Sequence, residues 1–294
     1  MTEPELVLEA RRAELPGGLL VRRALPRRQR RMVGPFIFVD QMGPVAANPE
    51  KEFTVLPHPH IGLATLTYLF EGEGLHRDSL GSTQRLVPGE VNWMTAGSGV
   101  VHSERLRATS GRVFGMQIWV ALPRDLEECA PSFEHYGTDA VATVQDGGVT
   151  LRIIAGSLFG ARSAVRVASP LFYVEARLPA GAALAVPDEY PERAVFVVEG
   201  ALAIGATNVD AGSIAVLPPG LAVPCRAREA TRLLLLGGAP LEGPRHISWN
   251  FVSSSKERLA RAADDWRHQR FPRIPGETAY IPLPQDGQEP VNYP

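Results

Sequence analysis

Two stretches of this chain repeat one another. "HPHIGLATLTYLFEG" (58–72) aligns without a gap with "VPDEYPERAVFVVEG" (186–200), so that Pro59 falls on Pro187 and Gly72 on Gly200. Further on, "GEVNWMTAGSGVVHSE" (89–104) aligns with "GSIAVLPPGLAVPCRA" (212–227), with Gly89 on Gly212 and Gly97 on Gly220. Such a repeat restricts the fold to two similar domains, and 294 residues suffice for two cores. Within each repeat, β-branched and aromatic runs such as "ATLTYLF", "AVFVVEG" and "SIAVLPPG" are separated by Gly/Pro turns. The pattern predicts an all-β chain, each domain a sandwich or barrel, divided as 1–135 and 136–294. One short helix is expected late, in "SSKERLARAADDWRHQRF". There Ser254 and Glu257 have the spacing of a capping box, and Leu259, Ala263 and Trp266 share a face, with Trp266 assigned to packing.

Composition narrows the function classes. Hydrophobic residues make up 45% and charged residues 21%, which excludes a largely disordered chain. A formal charge of −2 offers no general attraction to nucleic acid or anionic membrane. The basic run "RRALPRRQRR" lacks interleaved aromatics and a reading motif, so it is read as a solvated arm or ion-pairing loop, not a nucleic-acid contact. No window has the unbroken apolar length of a membrane-spanning helix, and "MTEPELVLEARRAEL" is acidic where a signal peptide is basic, which predicts a cytoplasmic protein. Cys129 and Cys225 stand far apart without a C-x-x-C pattern and are expected to be reduced, buried thiols.

The chain has seven histidines, and two of them flank Pro59. Residues two apart in an extended segment point to the same side, so His58 and His60 do, and Pro59 holds His58 extended. His102 and Glu104 in "GVVHSE" repeat the arrangement. If the two segments are neighbouring strands, three imidazoles and a carboxylate converge, a donor set suited to Fe, Mn, Co, Ni, Cu or Zn. Four such donors leave positions open on a five- or six-coordinate ion, which points to chemistry. The aligned positions of the second repeat are Val186, Asp188, Cys225 and Ala227, so one metal per chain is expected, in the first domain. Trp93 and Met94 lie on the strand entering the second ligand pair, and one of them should face inward.

Taken together, "VGPFIFVDQMGP", "HPHIG", "EGEGLHRDSLG", "PGEVNWMTAGSGVVHSE" and "WNFVSSSKERLARAADDW" resemble the pirin family of bicupins, from about Arg22 to "FPRIPGETAYIPLP". The resemblance implies two cupin (jelly-roll) barrels: a metal-binding one in 1–135, and a metal-free one in 136–294 with the helix and tail. It implies iron, as Fe(II), on His58, His60, His102 and Glu104. It also implies two activities: quercetin 2,3-dioxygenase chemistry on a small aromatic substrate with O₂, or redox-dependent transcription co-regulation through a protein partner. Under the first, Glu104 would be ligand and catalytic base at once; an isomerase or hydrolase using the same cavity is a third possibility. The chain departs from the family where pirins often read "HPHRGFE", having Ile61, Leu63 and Ala64, and where they often have histidine, having Gln41. His76 in "LHRDS" fits the bacterial pattern and, as a turn histidine, is read as solvated.

Overall fold

The computed structural model describes residues 2–15, 18–48 and 50–284. Strands dominate, with one α-helix, Lys256–Arg267, among the described residues. The chain divides into two compact units: Ala13–Val21, Met42–His135 and Leu241–Pro294 form one, and Met1–Arg12, Arg22–Gln41 and Tyr136–Pro240 the other.

In the first unit a four-stranded sheet runs in the order Glu52–His60, Val100–Arg107, Glu73–Asp78, Thr83–Leu86. A second sheet runs Ser132–Tyr136, Val91–Thr95, Leu63–Glu71, Arg112–Ala121 and, within this unit, residues 42–46 of the next strand. Phe53, Leu86 and Leu106 of one sheet pack with Leu69, Val113 and Met42 of the other, as alternating strands do when each buries one face.

The other unit repeats the topology. Its four-stranded sheet runs Ala183–Val186, Val223–Ala227, Ala201–Ile204, Thr207–Asp210, beside a larger sheet containing Ser213–Leu217, Glu192–Glu199, Thr231–Gly238 and Leu171–Leu178. The strand ladders correct the gap-free alignment of the second repeat segment. In the first unit His102 lies opposite His58 and Glu104 opposite His76. In the second, Val223 lies opposite Val186 and Cys225 opposite Ile204. The equivalents of His102 and Glu104 are therefore Val223 and Cys225, and the alignment to Cys225 and Ala227 slips by two residues. Val186, Ile204, Val223 and Cys225 all belong to one apolar core. Asp188, level with His60, pairs with the buried Arg193 at 3.1 Å. Arg193 also donates to the carbonyls of Pro187, Pro218 and Leu221. A guanidinium thus ties together the turns that follow Ala183–Val186 and precede Val223–Ala227.

Both chain ends depart from the simple tandem division at residue 135. Leu6–Glu9 adds an edge strand to Ser213–Leu217 in the unit of the second repeat, which pairs an edge that would otherwise be open. Residues 241–284 belong with the first repeat. Phe251, Leu259, Ala262, Trp266 and Ile274 there cover Ile61 and Val101, so the helix belongs to the unit of the first repeat and not to that of the second. Its N-cap is Ser255, whose hydroxyl accepts from the Arg258 amide, one residue later than the predicted capping box. Ser254 is engaged instead by Glu127, to which its amide and hydroxyl both donate. Ala262, rather than Ala263, is the fully buried alanine of the face.

Glu127 also holds the buried Arg245 at 2.8 Å, and Arg245 donates to the Leu122 carbonyl. This network fastens the returning segment to the barrel. Glu127→Ala should lower unfolding stability by about 3–5 kcal/mol, since removing one partner leaves the other charge buried. A urea titration checks the value; a change under about 1 kcal/mol would show that the carbonyls alone satisfy Arg245.

Two arginines of the basic run are paired inside their own unit: Arg23 forms a two-point bridge to the buried Asp40 at 2.8 and 2.9 Å, and Arg30 pairs with Glu192 at 3.2 Å. Both cysteines are free. Cys129 is only partly buried, while burial pushes the Cys225 thiol up to about 12. No described helix is long and apolar enough to cross a membrane.

Candidate metal centre

Three adjacent strands each present a pair of polar residues spaced by two. His102 pairs across the ladder with His58 on one side and Asp78 on the other, and Glu104 lies opposite His76. Residues directly opposite in an antiparallel pair share a face. His58 and His60, His102 and Glu104, and His76 and Asp78 therefore point to one side. The register shifts between His102 and Glu104, with Glu104 opposite Val55. The extra residue falls near Leu56 and Pro57, where a bulge tolerates a proline that cannot donate.

The predicted donors fall in two groups that share His102, and Glu104 groups with His76 rather than with His58 and His60. Ligand atoms of His58, His60 and His102 lie within 4.8 Å of one another, and so do those of His76, His102 and Glu104. His58 Nδ1 donates to the Leu56 carbonyl at 2.8 Å and His60 Nδ1 to the Asn250 carbonyl at 3.0 Å. Each neutral ring thereby keeps its proton on Nδ1 and a lone pair on Nε2, the tautomer that ligating histidines adopt. His60 Nε2 faces His102 Nε2 at 3.1 Å. His102 Nδ1 is buried without a hydrogen-bond partner.

Burial sets the charge state. It lowers His58 to about 4 and holds His60 and His102 well below the usual histidine range, with neighbouring imidazoles adding to the effect. All three rings are therefore neutral donors near pH 7. Burial raises the carboxyl of Glu104, against a hydrogen bond from Thr67. The Thr67 hydroxyl stands 3.0 Å from Glu104 Oε1 and 2.8 Å from Gln117 Oε1. It donates to one of them, and turning the Gln117 amide completes a chain from Gln117 through Thr67 to the Glu104 carboxylate. Three neutral nitrogens beside one partly buried carboxylate suit a divalent cation: the cation would relieve the desolvation that now raises Glu104.

Register also identifies the opposite wall. Thr67 faces Glu104, and Thr65 shares its side of the strand; Gln117 and Trp119 are their ladder partners on one flank, Asn92 and Met94 on the other. Met94 is therefore the inward residue of the Trp93/Met94 pair. Trp93 is buried on the other face and donates to Thr95 at 3.2 Å. The edge of Trp119 packs against His60, ring centres 5.0 Å apart.

His76 is not the solvated turn residue expected. It is 4% exposed, bonds Asp78 at 2.9 Å through Nε2 and stacks on Phe133 at 4.2 Å. The Asp78 carboxyl sits below its usual range because hydrogen bonds from His76 and Ser82 outweigh the upward push of burial. The His-x-Asp spacing of "LHRDS", identical to that of His58/His60 and His102/Glu104, was the available signal. For Thr67, Gln117, Trp119 and Phe133 there was none, because their proximity depends on strand pairing. Among the departures from the usual pirin pattern, Ile61 is buried against Phe251, and Gly62 beside it has φ +67° with its Cα facing the Val252 carbonyl so closely that a Cβ would come within 2.0 Å. Only glycine meets both conditions.

Two barrels of one topology, one of them carrying a histidine-rich interior, define a bicupin. Residues 18–120 match the family described as Pirin, and residues 173–272 match the Pirin C-terminal cupin domain. A pirin-like protein of Caulobacter vibrioides is 50% identical over 96% of this chain and 99% of its own length. Pirin of Homo sapiens is 28% identical over 86% of this chain and 88% of its own. The crystal structure of quercetin 2,3-dioxygenase from Acinetobacter baumannii superposes with a TM-score of 0.88 at 33% identity, covering 97% of each chain. The chain belongs to the pirin family.

Proposed function

We propose that this chain is a metal-dependent dioxygenase that opens the ring of a flavonol or related aromatic enol with O₂, with one ion held by His58, His60, His102 and Glu104. The observation that supports the reading is the gathering of three buried, neutral imidazoles, two of them with their tautomer fixed, beside the partly buried carboxylate of Glu104, which shares a donor group with His102. The likeness in fold to the Acinetobacter quercetin 2,3-dioxygenase supports the choice of reaction.

A bound open-shell ion, with Fe(II) the first choice, supplies Lewis acidity toward an enolate and one-electron exchange with O₂. The remaining work falls to the chain. The histidines hold position because Leu56 and Asn250 fix two of their rings. Glu104 takes the enol proton on a carboxylate oxygen. Thr67 and Gln117 keep that carboxylate aimed into the barrel. Met94 and Trp119 give the opposite wall an apolar surface for an aromatic ring, keeping water from the reacting atoms.

The test is O₂ uptake with carbon monoxide release from quercetin by Fe(II)-loaded protein, alongside elemental analysis. One equivalent of metal and stoichiometric carbon monoxide are expected. Metal binding without O₂ uptake on any flavonol or related enol would end the dioxygenase reading and leave a redox-responsive centre acting through a protein partner.

A further inference from the structure

We propose that His76 is a fifth donor of this centre, available through Nδ1; the inference rests on the reading of the site as a metal centre. His76 has the features by which His58 and His60 qualify. It lies in the shared donor face, opposite Glu104 in the ladder. One of its ring nitrogens falls within 4.8 Å of a ligand atom of His102 and of a carboxylate oxygen of Glu104, comparable to the spread of about 4.2 Å expected between ligands around one ion at about 2.1 Å. One ring nitrogen is already committed: Nε2 donates to Asp78 at 2.9 Å. A neutral imidazole so engaged keeps its lone pair on Nδ1, which makes Asp78 the carboxylate of a carboxylate–histidine–metal arrangement. Asp78 is itself fixed, its other oxygen accepting from the amides of Leu80 and Ser82 at 2.9 Å each. Stacking on Phe133, with rings 12° from parallel, sets the plane of His76. So much restraint on a buried ring is what a ligand position needs.

The arrangement answers a difficulty in giving Glu104 two tasks. A carboxylate bound to a cation is a poor proton acceptor. With His76 able to supply a donor, Glu104 is free to turn toward the substrate's proton while the ion keeps its ligand count. His102 is common to both donor groups and serves as the pivot.

The experiment uses the full chain, stripped of metal and titrated with Co(II), whose visible d–d absorption reports coordination independently of turnover. His76→Asn should change the position or intensity of the Co(II) band and weaken Co(II) binding by roughly ten- to a hundredfold. The double variant His58→Ala/His60→Ala should still take up one weaker equivalent of Co(II), and adding His76→Ala should abolish it. A His76→Asn protein with the wild-type band and affinity overturns the inference, as does a double variant with wild-type circular dichroism that takes up no Co(II). If the double variant does not fold, His76→Asn alone decides. Wild-type protein that takes up no Co(II) overturns the metal-centre reading and this inference with it. Wild-type uptake with an unaltered His76→Asn spectrum overturns the inference alone.

Discussion

Glu104→Gln is expected to cut flavonol turnover per bound ion by about 10²- to 10⁴-fold, the range that a positioned general base contributes, while metal content stays close to that of the wild type. Glutamine preserves the shape of the side chain and its contact with Thr67, so the barrel should not rearrange. It cannot accept the substrate's proton as a carboxylate does. Three imidazoles remain to hold the ion, since His58, His60 and His102 form a donor group without Glu104. Rate and metal content must be measured on the same preparation. Wild-type turnover per bound ion would remove Glu104 as the base, and metal loss in step with rate would reduce it to a ligand.

His102→Ala should behave differently, with metal and activity lost together. His102 is the one residue in both donor groups, so its removal breaks each of them. The loss in metal affinity should exceed the ten- to hundredfold typical of changes to residues that only support a ligand. Equilibrium dialysis against Fe(II) or Co(II), read beside O₂ uptake, checks this. A variant that keeps full metal affinity would place the ion away from the strand Val100–Arg107. The pair of variants separates holding from chemistry, because only the first of them should leave a metal-loaded protein that turns over slowly.

Much of this site could be read from the sequence because it is built from a local rule. Alternation along a strand put His58 beside His60 and His102 beside Glu104, and the ladder made the two segments neighbours. The same rule applied to "LHRDS" and would have brought in His76 and Asp78, but the reading of that segment as a turn hid it. The repeat revealed the duplicated barrel, yet gap-free alignment misassigned two of its positions, since it cannot register a two-residue change of loop length before a strand. The helix was recognisable from its apolar face, whereas its first residue was set by Glu127, a partner far away in sequence. Such contacts depend on topology, and propensity and spacing do not encode it. The same holds for the chain ends, whose strand and helix found their places by pairing and burial against distant segments.

The carbonyl that fixes the His60 ring belongs to Asn250, 190 residues further along the chain. Its hairpin strand touches the barrel at Ile61, where Phe251 forms a parallel bridge and the Val252 amide donates to the Ile61 carbonyl at 3.2 Å. During synthesis, the strands bearing all the proposed ligands leave the ribosome well before this residue does. For that interval His60 has its neighbours but not the acceptor that holds its tautomer, and the intervening barrel is made while the first one waits. Loading with metal before release would thus meet a centre whose second histidine is still free to rotate. The tautomer of His60 is thus set from a segment 190 residues downstream, made after every strand that bears a proposed donor.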